Sequence, residues 1–331
     1  DLKREIDLIE EICRLHGIDQ IPATPPRGCI GENEFDSIHD NIAEVRRILT
    51  GIGLDEAQGQ TLISDTSAQL VADEFVGLEH PLSNDMDVLR PSLLPGLLDS
   101  LRNNFTRQNH DVSLFEIGRV FEAGLKECRK LGVAIVGRRQ RKDAKLDAAD
   151  LKGIIEELLE RIGAFGINYE RREAGTNLFL ESAELKMGKN VIGQMGQLLP
   201  VLGKEYGSRD AIFLAELDLE ILLKRRTTNK SFKSLPKFPA IERDVAMLVA
   251  ESVTHAEVLA IVKKAKAVNL VGTELFDVFR GQNVPEGQKS LAYSFTYRSA
   301  EKTLTDEEVN GAHESLVVAF KEKLGAMIRD N

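Results

Sequence analysis

Tryptophan is missing from this chain of 331 residues, aromatic rings make up only 5% of it, and cysteine occurs three times. A core built from this sequence must rest on Leu, Ile, Val and Ala, which supply most of the 42% apolar share. Cys13, Cys29 and Cys128 are scattered and odd in number, which fits free thiols in a reducing, cytoplasmic compartment better than a disulfide framework. No apolar run approaches the roughly 20 residues that cross a bilayer. LGVAIVG at 131–137 is among the longest. No charged stretch followed by an apolar one opens the sequence, as a secretory signal would. A basic excess is lacking too: 43 Lys and Arg face 53 Asp and Glu, a net charge of −10. That excludes a surface coated in positive charge and removes the simplest argument for nucleic-acid binding, but an average says nothing against a local basic path. An initial methionine is also lacking, and the sequence opens at Asp1 inside a helical pattern, so a fragment of a longer protein is expected. The length suffices for two or three compact domains.

What is present reads as a mixed α+β chain. Ile9, Ile12 and His16 share one side of a helix over 5–16 that Gly17 stops. IPATPPRG at 21–28 is an extended connector, because proline cannot continue a helix. Ile38, Ile42, Val45 and Leu49 predict a second helix over 37–50, ended by Gly51 and Gly53. Between 54 and 220 the spacing predicts strands at 58–63, 112–121, 131–136, 167–172, 182–187, 190–197 and 211–217. Helices are predicted at 67–74, 92–105, 147–162 and 198–206. That order implies a largely antiparallel sheet flanked by helices rather than a regular βαβ series. From 221 to 241 no acid occurs, while Lys224, Arg225, Arg226, Lys230, Lys233 and Lys237 are basic, the pattern of an exposed linker. Beyond it come strand 241–250, helix 255–266, strand 268–278, strand 289–298, helix 306–323 and a short strand at 326–329. Thr254 with Glu257, and Thr305 with Glu308, are capping boxes for the two helices. The order βαββαβ is the split ferredoxin-like arrangement. In 289–298, Leu291, Tyr293, Phe295 and Tyr297 share one face, expected to pack on the helices. Ala292, Ser294, Thr296 and Arg298 share the other, which is left open to a ligand.

Several constellations could carry chemistry. Asp7, Glu10 and Glu11 project from one helical face with Asp1 just upstream, a set of hard oxygen donors that suits Mg²⁺. Acids near a helix N-terminus also simply complement its dipole. Cys13 and His16 have no second Cys/His pair nearby to complete a zinc tetrahedron. His39, His80, His110, His255 and His313 form no recognisable triad with Ser or Cys. Gly51-Ile52-Gly53 lacks the third glycine of a dinucleotide loop and follows a helix, so it reads as a terminator. Arg102, Arg107 and Arg119 surround the strand at 111–121 and could hold phosphates, or could form surface ion pairs. The basic stretch 224–237, with Phe232 and Phe238 among its lysines, is either a nucleic-acid path or a solvated linker.

Four stretches carry a specific resemblance: DLKREIDLIEEICRLHGIDQIP at the start, HPLSNDMDVLRPSLLPGLL at 80–98, DVSLFEIGRVF at 111–121, and KFPAIERDVAMLV through LFDVFRGQNVPEGQKSLAYSFTYRSAEKTLTDEEV near the end. Together they resemble the bacterial phenylalanyl-tRNA synthetase β subunit, in order along the whole chain and most strongly over its last part. The resemblance implies a C-terminal fragment. Residues 1–22 would end the small module that precedes the catalytic-like domain. Residues 23–225 would be that domain, a class II synthetase-like antiparallel sheet with helices, and 226–236 a basic linker. Residues 237–331 would be a ferredoxin-fold anticodon-binding domain.

The same resemblance implies function. The family places Mg²⁺ on a pattern that Asp1, Asp7, Glu10 and Glu11 match. It gives aminoacylation to the α subunit of an α₂β₂ heterotetramer, where ATP and phenylalanine bind, and places editing in an upstream domain. This chain would then be a noncatalytic part of a phenylalanine–tRNA ligase, supporting the α subunit and binding tRNA(Phe). No Gly-rich run ending in arginine resembles the third class II motif, in keeping with that role; GQMGQLLPVLG at 193–203 resembles the β-subunit version, with Leu199 where histidine is common. Reading an anticodon requires unstacked bases met by aromatic or polar groups on an open sheet face or loop. Phe238, Arg243, Arg280, Ser294 and Arg298 are the expected contributors, although Arg243 could instead pair with Asp244 or Asp277 and Phe238 could pack in a core. The competing readings are a freestanding RNA-binding regulatory module, and a self-sufficient ATP-using enzyme with Arg102 and Arg107 on the phosphates.

Overall fold

The structure, a computed structural model, describes residues 2–28, 37–138, 144–173, 175–227, 232, 234–281 and 284–329. The chain folds as two compact units, Asp1–Lys230 and Ser231–Asn331.

The first unit begins with helices α1 (Glu5–His16) and α2 (Ser37–Gly51), then strands β1 (Asp55–Glu56) and β2 (Leu62–Ile63). Helix α3 (Asp65–Gln69), strands β3 (Val76–Gly77) and β4 (Val88–Leu89), and helix α4 (Leu94–Thr106) follow. A long hairpin of β5 (Val112–Glu122) and β6 (Lys126–Val136) leads to α5 (Ala148–Ile162), β7 (Ile167–Arg171), β8 (Phe179–Met187) and β9 (Asn190–Leu198). The unit closes with α6 (Pro200–Glu205), β10 (Ile212–Asp218) and α7 (Leu219–Arg225). Seven strands form one sheet in the order β1-β5-β6-β10-β9-β8-β7, and β2-β4-β3 form a small second one. All pairings in the large sheet are antiparallel except that of β1 with β5.

Strand period two divides the large sheet into two faces. Phe115, Val133, Ile135, Phe213, Ala215 and Leu217 are buried on one side in a single cluster with α2, α5 and α7. Helix α5 enters that layer because Leu151, Ile155, Leu158, Leu159 and Ile162 fall at helical spacing, with Asp147 accepting the first amides at Ala149 and Asp150. On the other side α4 lays Leu94, Leu97, Leu98, Leu101 and Phe105 over Val112, Leu114, Ala134, Ile212 and Leu214. It covers only part of that face. The remainder is polar.

Three differences from the sequence reading have physical causes. Of the strand expected at 58–63 only β2 at its end forms, because residues 57–61 cross from β1 of the large sheet to the small one. The helix expected at 67–74 is the five-residue α3, started by Ser64, whose hydroxyl accepts from the Ser67 amide at 3.3 Å. The linker expected from 221 begins as helix α7, because Asp218 caps the Ile221 amide at 2.8 Å and Leu219 and Leu222 are buried.

The second unit runs β11 (Ile241–Ala250), α8 (His255–Ala265), β12 (Leu270–Phe279), β13 (Gln288–Tyr297), α9 (Asp306–Leu324) and β14 (Met327–Arg329). Its sheet order is β12-β13-β11-β14, antiparallel throughout, which is the expected ferredoxin-like βαββαβ arrangement. Both capping boxes form: Glu257 accepts from the Thr254 amide at 2.7 Å, and Glu308 from that of Thr305 at 3.1 Å.

Candidate nucleic-acid interface

The odd residues of β13, Leu291, Tyr293, Phe295 and Tyr297, are buried in the core under α8 and α9. Each tyrosine ties one helix to the sheet. Tyr293 Oη lies 2.8 Å from His255 Nδ1, and Tyr297 Oη lies 3.2 Å from His313 Nδ1. Burial pushes both phenols up to about 12. Burial, reinforced by Arg243, holds the His313 imidazole below its ordinary value.

The even residues of β13 lie on the opposite face, which no described helix covers. Register fills in their neighbours, since cross-strand partners share a face. Ser294 stands between Asp244 of β11 and Glu274 of β12, and Thr296 between Glu242 and Gly272. Ala292 stands between Ala246 and Asp277, and Ser290 between Leu248 and Phe279. The open face is therefore hydroxylated along its centre and flanked by four carboxylates, with the Phe279 ring at its far end.

Of the five expected contributors, Ser294 and Arg298 belong to this face. The Arg298 amide donates to Asn269 O at 2.8 Å, while its Nε is buried without a partner. Phe238 is half-buried in the segment leading into β11, at the same end of the sheet, because Ile241 pairs with Tyr297. Arg243 instead shares the helix side with Val245: its Nε donates to Asn310 Oδ1 at 3.2 Å and its guanidinium pairs with Asp306. Neither Asp244 nor Asp277 is its partner. Arg280 lies beyond β12 at the opposite end from Arg298 and donates to Glu251 Oε1 from Nε at 2.9 Å and Nη2 at 2.7 Å.

Two residues on the open face escaped the sequence reading. Asp277 and Phe279 are exposed there, the Phe279 ring at 45%. Strict alternation from Leu275, a helix-side residue, would put Asp277 on the helix side too. A bulge between Leu275 and Asp277 shifts the register and turns it outward. Gly281 seats the ring: a β-carbon there would lie 2.4 Å from Phe279 Cζ.

The polar part of the large sheet in the first unit is another place where a ligand could be held. A cavity of about 250 Å³ there is lined by Glu122, Lys130, Arg172, Glu184, Glu216 and Asp218 among others. Both cations are already neutralised, Lys130 by Glu216 at 3.3 Å and Arg172 by Glu184 at 3.1 Å. Beside it, Arg90 is buried against Glu116 at 2.6 Å. Glu216 also accepts from Ser92 Oγ at 2.8 Å and from the Leu93 amide at 2.7 Å, closing the first turn of α4 from another strand. Four carboxylates against two paired cations make this a poor seat for a polyphosphate. Arg102 pairs with Asp99 at 2.5 Å and lies over the Tyr206 ring, Arg119 pairs with Glu127 at 3.0 Å, and Arg107 is exposed past the end of α4. These three arginines do not converge.

On α1, Asp7 accepts from the Lys3 amide at 3.1 Å and from Arg4 through amide and guanidinium at 3.0 Å, and the Arg4 guanidinium beside it holds its carboxyl below the ordinary range. Glu11 accepts from Arg14 at 2.6 Å, Glu10 is exposed, and Asp1 lies outside the described residues. Among the described residues no three His, Cys, Asp or Glu side chains are grouped to hold a metal. The donors as they stand therefore do not form a finished Mg²⁺ site. In the basic stretch, Lys224 and Arg225 finish α7 and Arg226 pairs with Glu44 at 3.0 Å, while 228–231 and 233 lie outside the described residues.

Comparison with known proteins supplies two family matches. The family model described as the phenylalanyl tRNA synthetase beta chain CLM domain matches residues 21–219, and the ferredoxin-fold anticodon binding domain matches 236–329. The phenylalanine–tRNA ligase beta subunit of Lactiplantibacillus plantarum is 34% identical over 99% of this chain and 43% of its own length. That of Bacillus licheniformis is 35% identical over 99% of this chain and 42% of its own. The chain thus spans a little over two fifths of the curated relatives it matches. A solved structure of Desulfitobacterium hafniense PylSc, a pyrrolysyl tRNA synthetase, overlays with a TM-score of 0.46 at 15% identity, covering 65% of this chain and 71% of that one, and nothing further rests on it.

Proposed function

Because the chain belongs to the phenylalanyl-tRNA synthetase beta-chain family, we propose that it serves a phenylalanine–tRNA ligase as its tRNA-holding, noncatalytic part. Its first unit supports the α subunit, which binds ATP and phenylalanine, within an α₂β₂ assembly in the cytoplasm. Its second unit holds tRNA(Phe). The observation that carries this reading is the contrast between the two sheets. The first unit has its cations cancelled by carboxylates where a nucleotide would need them, whereas the second leaves a whole sheet face uncovered. On that face unstacked bases can meet Ser294, the carboxylates of Asp244, Glu274 and Asp277, and the Phe279 ring, which presents a stacking surface.

Mixing this chain with the α subunit should give a single complex by sizing, and that complex should charge tRNA(Phe) when given ATP and phenylalanine. The chain by itself should show no ATP–pyrophosphate exchange. Exchange by the chain alone would overturn the noncatalytic reading, and RNA binding with no α complex would favour a freestanding RNA-binding regulatory module.

We also propose Asp1, Asp7, Glu10 and Glu11 as Mg²⁺ ligands, on the strength of the family's acidic pattern and the preference of this ion for a few carboxylates and retained waters. The ion would have to displace Arg4 from Asp7 and Arg14 from Glu11. Calorimetric Mg²⁺ binding should disappear in the Glu10→Ala, Glu11→Ala double variant, and binding that survives both changes removes the assignment.

A further inference from the structure

The cations of the second unit are not evenly placed. Arg243 pairs with Asp306, Arg280 with Glu251 and Lys302 with Glu308. Among the described residues Lys237, Lys263, Lys264, Lys266 and Arg298 form no ion pair and stand toward the end where Ile241 pairs with Tyr297, while Lys289, Lys321 and Lys323, also without one, stand toward the other. Helix α8 ends at Ala265, and Lys266 then takes the left-handed conformation at φ 47° and Asn269 at φ 62°. This tight turn brings Asn269 O to the Arg298 amide at 2.8 Å and feeds Leu270 into its pairing with Tyr297. The three lysines, on and just past the last turn of α8, and Arg298, at the end of β13, thus stand at the same end of the sheet. The end of α8 carries about half a negative elementary charge, so three ammonium groups outweigh it.

The open face itself has the opposite sign. Glu242, Asp244, Glu274 and Asp277 flank its centre, so a chain of phosphates cannot lie along it without like-charge repulsion. A single strand whose bases reach that face must carry its backbone elsewhere. We propose that the sugar-phosphate backbone of the bound RNA leaves the sheet over the Lys263–Asn269 turn, with Lys263, Lys264, Lys266 and Arg298 as its phosphate contacts. This rests on the second unit being an RNA-binding domain, and it adds to the face that reads bases a separate set of cations that holds the backbone.

The test uses the 331-residue chain. A fluorescent RNA hairpin bearing the phenylalanine anticodon is titrated by anisotropy at several KCl concentrations, for the unaltered chain and for K263E/K264E/K266E. The three lysines are exposed, so circular dichroism should be unchanged. Losing three phosphate contacts should lower the slope of log K against log salt by about 2 and weaken binding at low salt at least tenfold. The neutral variant K263Q/K264Q/K266Q should give the same reduction in slope. Tight binding by the unaltered chain with equal slopes in all three proteins overturns the phosphate contacts alone. No binding by the unaltered chain overturns the RNA-binding reading and the phosphate contacts together.

Discussion

Replacing Arg90 by alanine is expected to cost the first unit about 3–5 kcal/mol, the penalty typical of removing one partner of a buried ion pair. Arg90 and Glu116 have only 7% and 3% of their side chains exposed. The guanidinium also donates to Arg119 O at 2.9 Å and Gln60 O at 3.4 Å. Glu116 Oε2 already lacks a hydrogen-bond partner, so without Arg90 the whole carboxylate would be buried and unpaired. Gly118 shows how closely this pair is enclosed: a β-carbon there would stand 2.2 Å from Arg90 Nη2. Because the chain has two units, a single unfolding transition need not report on this one. Amide hydrogen exchange along β5 and β6 does. A loss of protection worth less than about 1 kcal/mol would mean the pair adds no more than an exposed one. Replacing both members by Met and Leu should recover much of the loss, since a matched apolar pair carries no desolvation cost.

The Phe279→Ala variant should separate recognition from folding. The ring is 45% exposed, absent from the buried core, and held over Gly281, so its removal should leave the melting temperature nearly unchanged. A stacked base is worth about 1–3 kcal/mol, so affinity for an anticodon hairpin should fall by roughly 5- to 150-fold, at 1.4 kcal/mol per decade. Gly281→Ala should shift the result in the same direction, because the new methyl evicts the ring without touching the core. Unchanged affinity in Phe279→Ala would remove the far end of the open face from the interface.

How much of this was legible in the sequence depends on how local each feature is. The ferredoxin-like order, both capping boxes and the two faces of β13 follow from spacing and short-range chemistry, and the structure has them. Helix α7 was missed because a run of basic residues read as linker, while the signals for helix were one carboxylate at Asp218 and two leucines that become buried only in the assembled core. In the sequence Arg243 reads as either an RNA contact or a partner of Asp244 or Asp277. Its place on the helix side follows from counting back from Val245, but its partners on α9 lie more than sixty residues on and carry no local signal. Asp277 and Phe279 were hidden by a bulge, which period-two counting cannot foresee. The pairing of Lys130 with Glu216, and of Arg172 with Glu184, could not be read from composition, because it depends on which strands lie side by side.

The seat of Glu216 has a consequence for how the first unit assembles. Helix α4 has no side chain of its own flanking sequence that reaches the Leu93 amide; the acceptor comes from β10, 123 residues later in the chain, and the Ser92 hydroxyl turns to the same oxygen. A chain emerging from its N-terminus can wind α4 and cap its Leu94 amide with Ser92 early, but the Leu93 amide gains its acceptor only when β10 has been made and inserted between β6 and β9. That ties the completion of a local element to one of the most distant pairings in the unit, a contact bought late because loop closure must come first. The same carboxylate that occupies an anion seat in the finished fold thus joins the N-terminal edge of α4 to the last strand of the unit.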